Sequence, residues 1–286
     1  MNLPHEAGPA DPANADRYGL VGHPVAHSWS PFIHGLFAKA TAQNLVYRLF
    51  DIPADDFRRE TLRLFTSGIR GLNVTVPHKQ AAAELVNELT PRAARAQAVN
   101  TITLRGDTTL LGDNTDGVGL ACDLEQNLKL NIGGKRILML GAGGAVRGVL
   151  GPLLEREPLE VMIANRTVRR AQSLADEFAD LGTIDYCGFA DLKGPPYDLI
   201  VNGTSARLQG QSPELPPGLV HAKSVCYDMA YGRGHTPFTL WANSLHAGRT
   251  IKGWGMLVEQ AAASFLIWRG IRPDTGPVLE ALAQHA

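Results

Sequence analysis

Lys79 closes the run Asn73-Val74-Thr75-Val76-Pro77-His78-Lys79, and its neighbours suggest a chemical task. β-Branched residues at Val74, Thr75 and Val76, with polar and apolar types alternating, predict a strand with two different faces. Pro77 has no N–H to give a ladder and a fixed φ, so it is expected to end the strand and start a helix. Asn73, Thr75 and Lys79 then project near one strand end, where open α/β sheets hold their ligands. A lysine held there, beside neutral hydrogen-bonding side chains, can act as a proton donor. The same run also describes an ordinary strand, turn and helix with a solvated lysine, since most lysines lie on the surface. Other parts of the chain decide between the two.

Two further polar runs bear on that choice. Gly112-Asp113-Asn114-Thr115-Asp116-Gly117 brings a carboxylate, Asp116, to what is also readable as a turn and helix cap. In His27-Ser28-Trp29-Ser30-Pro31, Ser30 is the expected N-cap, with Pro31 at the first helical position. Ser28 has no such structural reason to be there. Two serines at a helix N-terminus make an anion site, and a substrate carboxylate would suit it.

A nucleotide site is expected from Lys135 onward. Ile137–Leu140 reads as a buried strand, and Gly141-Ala142-Gly143-Gly144-Ala145 as a tight turn opening a helix through Leu154. Glycines there let the backbone approach a pyrophosphate seated on the helix N-terminus. The match to G-x-G-x-x-G is imperfect, because Val146 stands at the third position, but strand, glycines, helix and strand form the right context. The next strand, Glu160–Ala164, ends in Asn165-Arg166-Thr167, followed by Arg169 and Arg170. An NAD site would carry an acid here for the ribose 2′-hydroxyl. Guanidiniums instead suit a 2′-phosphate, so NADP is the expected cofactor.

Around these sites, strands are expected at Tyr18–Gly22, Leu45–Ile52, Thr101–Leu104, Thr108–Leu111, Asp198–Asn202 and Ser224–Met229. Arg105-Gly106-Asp107 is expected to turn a hairpin. Helices are expected from Pro31, at Pro53–Ser67 (anchored by Phe57, Leu62, Leu64 and Phe65), Pro91–Ala98, Gly117–Leu128, Met256–Trp268 and Pro273–Ala286. Tyr231 follows a strand end, and Gln260 sits among the apolar residues of the penultimate helix. Strands alternating with helices from Lys135 to His246 indicate a doubly wound parallel sheet.

The bulk properties exclude several classes. With 27 basic and 28 acidic residues the net charge of −1 leaves no electrostatic footprint for nucleic acid or membrane. Cys122, Cys187 and Cys226 show neither metal spacing nor a disulfide framework, which fits a reducing compartment. No stretch approaches the ~18 apolar residues of a membrane span. Residues 1–16 carry Asp, Glu, Pro, Gly and Ala but no Lys or Arg, so they read as a disordered tail rather than a signal peptide. A length of 286 residues allows about two domains, and a cytoplasmic location is expected.

Taken together, HSWSP (27–31), NVTVPHK (73–79), AVNT (98–101), GDNTDG (112–117), GAGGA (141–145), NRT (165–167), YDMAY (227–231) and GMLVEQA (255–261) resemble the NADP-dependent shikimate dehydrogenase family. The motifs stand in order and cover nearly everything after residue 17. The resemblance implies reversible NADPH-dependent reduction of 3-dehydroshikimate to shikimate, a step toward chorismate and the aromatic amino acids. It implies an N-terminal α/β substrate domain (17–116 with 253–286), a Rossmann-like NADP domain (117–252) and C-terminal helices returning to the first domain. The family's active site lies in the cleft between its two domains.

Carried over by motif, Lys79 and Asp116 would form the catalytic pair. Ser28, Ser30 and Tyr231 would hold the substrate carboxylate. Thr75, Asn100, Asp116 and Gln260 would bind ring hydroxyls, with Asn73 nearby. Gly141, Ala142, Gly143, Gly144, Ala145, Asn165, Arg166, Thr167, Arg170, Met229 and Gly253 would hold the nucleotide. No metal is implied, and the partners would be small molecules, on a monomer or homodimer. Ala206-Arg207 and Trp254 depart from the family's usual residues near the nicotinamide side. A broader quinate/shikimate dehydrogenase favouring NAD is the nearest alternative, opposed by Ser28, Ser30, Arg166 and Arg170. A non-catalytic shikimate sensor is the other, opposed by Lys79 and Asp116.

Overall fold

The structure, a computed structural model, describes residues 14–106, 108–204 and 215–284. Residues 1–13 of the expected tail, Asp107 of the hairpin turn and the pair Ala206-Arg207 lie outside the described residues. The chain divides into two compact units, Met1–Thr115 with Gln260–Val278 and Asp116–Glu259 with Leu279–Ala286. Among the described residues no helix is long and apolar enough to cross a membrane.

The first unit begins with β1 (Asp16–Gly22), α1 (Ser30–Ala40), β2 (Leu45–Asp51), α2 (Phe57–Thr66), β3 (Ile69–Val74) and α3 (Lys79–Leu85). β4 (Glu88–Leu89), α4 (Pro91–Ala96), β5 (Thr101–Arg105) and β6 (Thr109–Asp113) complete its strands. The sheet order is β2-β1-β3-β5-β6-β4. β1 pairs in parallel with β2 and β3, while β3, β5 and β6 run antiparallel to their neighbours in that series. The alternation of β3 is the feature that matters for the site: Leu72 and Val74 enter the apolar core with Val21, Ile102 and Phe65. Asn73 lies on the opposite face, as period 2 requires.

The second unit carries α5 (Asp116–Cys122), β7 (Arg136–Leu140), α6 (Gly144–Leu154), β8 (Glu160–Ala164), α7 (Val168–Phe178), β9 (Ile184–Cys187) and β10 (Leu199–Asn202). Then follow β11 (Val225–Asp228), α8 (Pro237–Ser244) and β12 (Arg249–Lys252). Every pairing in its sheet is parallel, in the order β12-β11-β10-β7-β8-β9. That is the doubly wound arrangement, with its switch point between β7 and β10. The long α9 (Trp254–Arg269) belongs to the second unit up to Glu259 and to the first from Gln260, and α10 (Gly276–Ala283) follows it.

The return of α9 to the first unit has a clear physical basis. Trp268 stacks on Tyr18 with ring centroids 4.8 Å apart, and its Nε1–H donates to the Ile102 carbonyl at 3.2 Å. A Cβ on Gly71 would lie 2.4 Å from the indole nitrogen, so β3 needs glycine there. Arg269 binds Asp16 at the start of β1. The expected tail therefore ends sooner, because Asp16 is already paired with Leu45 as the first residue of a strand.

Several local expectations need correction. Leu62 does not anchor α2: it is exposed, and the buried positions are Phe57, Thr61 and Phe65, spaced i, i+4, i+8. The helix expected over Gly117–Leu128 is α-helical only to Cys122 and continues as a π-helical turn over Asp123–Asn127. The last helix begins at Gly276 rather than Pro273.

Candidate active site

The turn that carries Lys79 is held from several sides. Beyond β3, the Thr75 N–H donates to the Val21 carbonyl at 2.9 Å, and the His78 N–H to the Thr75 carbonyl at 2.9 Å. The Val76–Pro77 peptide is cis. Contrary to expectation, β3 already ends at Val74, three residues before Pro77, and the helix opens at Lys79 rather than at Pro77. His78 is buried, stacked on Phe57 at 4.5 Å, with Nε2 2.6 Å from the Ile52 carbonyl. Since a carbonyl only accepts, Nε2 bears the proton. Burial lowers the His78 pKa, with the Ile52 hydrogen bond opposing and His23 acting in the same direction as burial, which favours the neutral ring. Lys79 is half-buried, and its carbonyl accepts from the Val99 N–H at 2.8 Å, next to Asn100.

Asn73, Asn100 and Gln260 come together in one polar network. The Asn73 Nδ2 group donates toward the Asn100 carbonyl at 3.1 Å, Thr101 Oγ1 at 3.2 Å and Ser264 Oγ at 3.0 Å. Its Oδ1 accepts from the Tyr47 hydroxyl at 2.7 Å. Asn100 Oδ1 accepts the Thr115 N–H at 2.8 Å, and Asn100 Nδ2 donates to Thr115 Oγ1 at 2.9 Å and Gln260 Oε1 at 3.3 Å. Asn73, Asn100, Thr101, Thr115 and Ser264 are all buried, whereas Gln260 and Thr75 are half-buried. Tyr47, Thr115 and Ser264 are parts of this network that sequence reasoning missed. Tyr47 and Ser264 stand in no motif, and Thr115 passes as a cap residue.

Ser28 and Ser30 are also brought together, though not as expected. The Ser28 hydroxyl donates to Ser30 Oγ at 3.1 Å and accepts the Ser30 N–H at 3.2 Å. α1 starts at Ser30 itself, and no side chain caps it from the preceding position, Trp29. Ser30 is thus not the N-cap, and Ser28 does have a local structural role. Both serines are buried at the helix N-terminus, where hydroxyls and N–H groups converge.

In the second unit Asp116 is the first residue of α5 and is buried. Gly117 lets α5 lie against α6: a Cβ there would be 2.6 Å from the Gly148 carbonyl oxygen and from Pro152 Cγ. Asp116 therefore stands at the start of a closely packed helix pair.

The glycine turn has the form a dinucleotide needs. Gly141 has φ of 103°, a conformation only glycine adopts readily. A Cβ at Gly143 or Gly144 would meet nothing within 4 Å, so the backbone before α6 faces open space with no capping side chain. Val146 replaces the third glycine, and Gly203 on the next strand end compensates, since a Cβ there would lie 2.5 Å from Val146 Cγ2. Ala142 and Ala145 complete the turn. At the end of β8, Asn165 Nδ2 donates to the Thr167 carbonyl at 2.9 Å. Arg166, Arg169 and Arg170 are exposed around the first turn of α7, which holds no acidic residue. These features fit a pyrophosphate and a ribose phosphate.

Met229 and Gly253 meet at the ends of β11 and β12. A Cβ on Gly253 would be 2.4 Å from the Met229 carbonyl oxygen, and Met229 Sδ is 3.1 Å from a Cβ on Gly203. Tyr231 is half-buried, with its ring 5.2 Å from that of Trp254. Its loop hangs on the buried Asp228, which accepts from Asn202 Nδ2 and the Ala230 N–H at 3.1 Å each and from the Thr236 hydroxyl at 2.5 Å. Among the described residues, no three His, Cys, Asp or Glu side chains form a group that could hold a metal ion.

Comparison with known proteins decides the family. The shikimate dehydrogenase substrate binding domain matches residues 20–102, the shikimate / quinate 5-dehydrogenase domain residues 123–209, and the shikimate 5′-dehydrogenase C-terminal domain residues 253–283. The shikimate dehydrogenase (NADP(+)) of Methylococcus capsulatus is 51% identical over 93% of this chain and 96% of its own. The chain belongs to the shikimate dehydrogenase family. Its counterpart in Aeromonas salmonicida is 53% identical over 94% of this chain and 98% of its own. A crystal structure of the Thermus thermophilus family member in complex with NADP(H) and shikimate is 31% identical, with a TM-score of 0.83 over 94% of this chain and 99% of its own. The family therefore pairs with the observed fold: an N-terminal substrate unit and a Rossmann-like unit.

Proposed function

We propose that the chain is an NADP-dependent oxidoreductase that reduces 3-dehydroshikimate reversibly to shikimate, with Lys79 and Asp116 as its acid–base pair. The observation that carries this reading is the half-buried Lys79 tied through its carbonyl to Val99, directly before the buried amide of Asn100. Lys79, the proton donor of this reading, and the amides of Asn100 and Gln260 belong to the same unit of a chain of this family.

NADPH, when bound, supplies the hydride. The Lys79 ammonium gives its proton to the carbonyl oxygen as that oxygen gains negative charge, and its own charge stabilises the developing alkoxide. Asp116 orients the lysine and accepts a hydrogen bond from the same hydroxyl. Thr75, Asn100 and Gln260 bind ring hydroxyls, and Asn73 supports Asn100 through its carbonyl. Ser28, Ser30 and Tyr231 hold the carboxylate. The glycine turn 141–145 takes the pyrophosphate, Asn165, Arg166, Thr167 and Arg170 the ribose phosphate, and Met229 and Gly253 the nicotinamide end. The reading includes a cytoplasmic enzyme, monomeric or homodimeric, whose partners are these small molecules. Shikimate-dependent reduction of NADP by the purified protein tests it, and a folded protein without that activity would overturn it.

A further inference from the structure

The geometry points to Ser264, on α9, as a positioning residue that sets how the amides of Asn100 and Gln260 present themselves to the substrate. This inference rests on the reading that those two amides bind ring hydroxyls.

Backbone groups have a hydrogen-bonding sense that cannot change. The Thr115 N–H only donates, so the end of the Asn100 side chain it meets at 2.8 Å must be Oδ1. The other end, Nδ2, then donates to Gln260 Oε1 at 3.3 Å. If Gln260 were flipped, two NH₂ groups would face each other. Gln260 therefore turns its own NH₂ end away from Asn100 and meets a ligand as a donor. One backbone N–H thus fixes the sense of two side-chain amides in series.

Ser264 keeps that series in place. Its hydroxyl donates to the Gln260 carbonyl at 3.0 Å, one turn earlier on the helix, and accepts from Asn73 Nδ2 at 3.0 Å. Its oxygen also lies 2.8 Å from Thr101 Oγ1 and 3.2 Å from Thr115 Oγ1. Both threonine hydroxyls in turn face Asn100 Oδ1, at 2.9 and 3.1 Å. Ser264 joins β3, β5, the segment after β6 and α9 at one point, and it is fully buried. Buried polar networks of this kind fix one arrangement when every member is satisfied.

The test compares Ser264→Ala, Thr101→Val and the double variant with wild type and a matched control, Ser224→Ala. Ser224 is equally buried and bonds the Tyr197 carbonyl at 2.6 Å, at the start of β11. For each protein, kcat, the separate KM values for shikimate and NADP, and Tm are measured. Ser264→Ala should raise KM for shikimate about 3- to 10-fold, as expected for one hydrogen bond, and leave KM for NADP unchanged. Ser224→Ala should lower Tm without moving either KM. The double variant should be no worse than the worse single one, because both act on the same amide. If Ser264→Ala does not fold, Thr101→Val alone should raise KM for shikimate selectively. An unchanged shikimate KM in an active variant, or both KM values rising together, would overturn the inference alone. A wild-type protein without shikimate-dependent NADP reduction would overturn the underlying reading as well.

Discussion

The imidazole of His34 lies flat on the ring of Tyr47, with centroids 4.2 Å apart and planes 7° from parallel. The Tyr47 hydroxyl donates to Asn73 Oδ1, so a histidine inside α1 fixes a tyrosine that in turn fixes a member of the site network. Phe37, Phe265 and Trp268 surround the same histidine, with ring centroids 6.0, 6.2 and 5.5 Å away.

This packing predicts a specific acid response. Burial lowers the His34 pKa to about 3, with Asn73 pulling the other way, against roughly 6.5 in an unfolded chain. Between those values the unfolded chain takes up a proton that the folded one refuses. Stability is therefore full above roughly pH 6.5 and falls as pH drops through the window. His34→Phe removes the group. From pH 7 to pH 5 the wild type should lose about 2 kcal/mol more than the variant, read from urea midpoints at each pH. Parallel curves would show that His34 is not the group responsible.

Lys79→Ala tests the proton donor. The rate constant kcat should fall by about 10²-fold or more, while the KM for shikimate changes far less. A variant that lost only affinity would refute the acid–base role.

Arg166→Ala tests the cofactor phosphate. A lost charge-assisted hydrogen bond should weaken NADPH by roughly 10- to 100-fold, with a smaller effect on NADH, which has no 2′-phosphate. Equal weakening of both nucleotides would place the phosphate elsewhere.

The central strands were legible because they are buried on both faces and read as apolar runs. Glu160–Ala164 is a strand over the expected residues, and Ile137–Leu140 gains only Arg136. The edge strands of the parallel sheet were not: Ile-Asp-Tyr-Cys (184–187) and Arg-Thr-Ile-Lys (249–252) carry polar residues suited to a solvent-facing edge and show no apolar run. Helix α8 was missed too, although Thr236 forms a capping box with Thr239 and Pro237 follows. Residues of the site within one motif could be found by spacing. Ser264 could not, because it meets Asn73 across 191 positions and one serine on an apolar helix has no signature. Ser30 shows the opposite error, since a serine before a proline reads as a cap whether or not its hydroxyl caps.

Substrate and cofactor choice is read from one comparison of initial rates: shikimate and quinate, each with NADP and with NAD, on the same purified protein. Shikimate with NADP should give by far the highest kcat/KM of the four. Preference for quinate with NAD, or no shikimate-dependent reduction of either nucleotide, would contradict it.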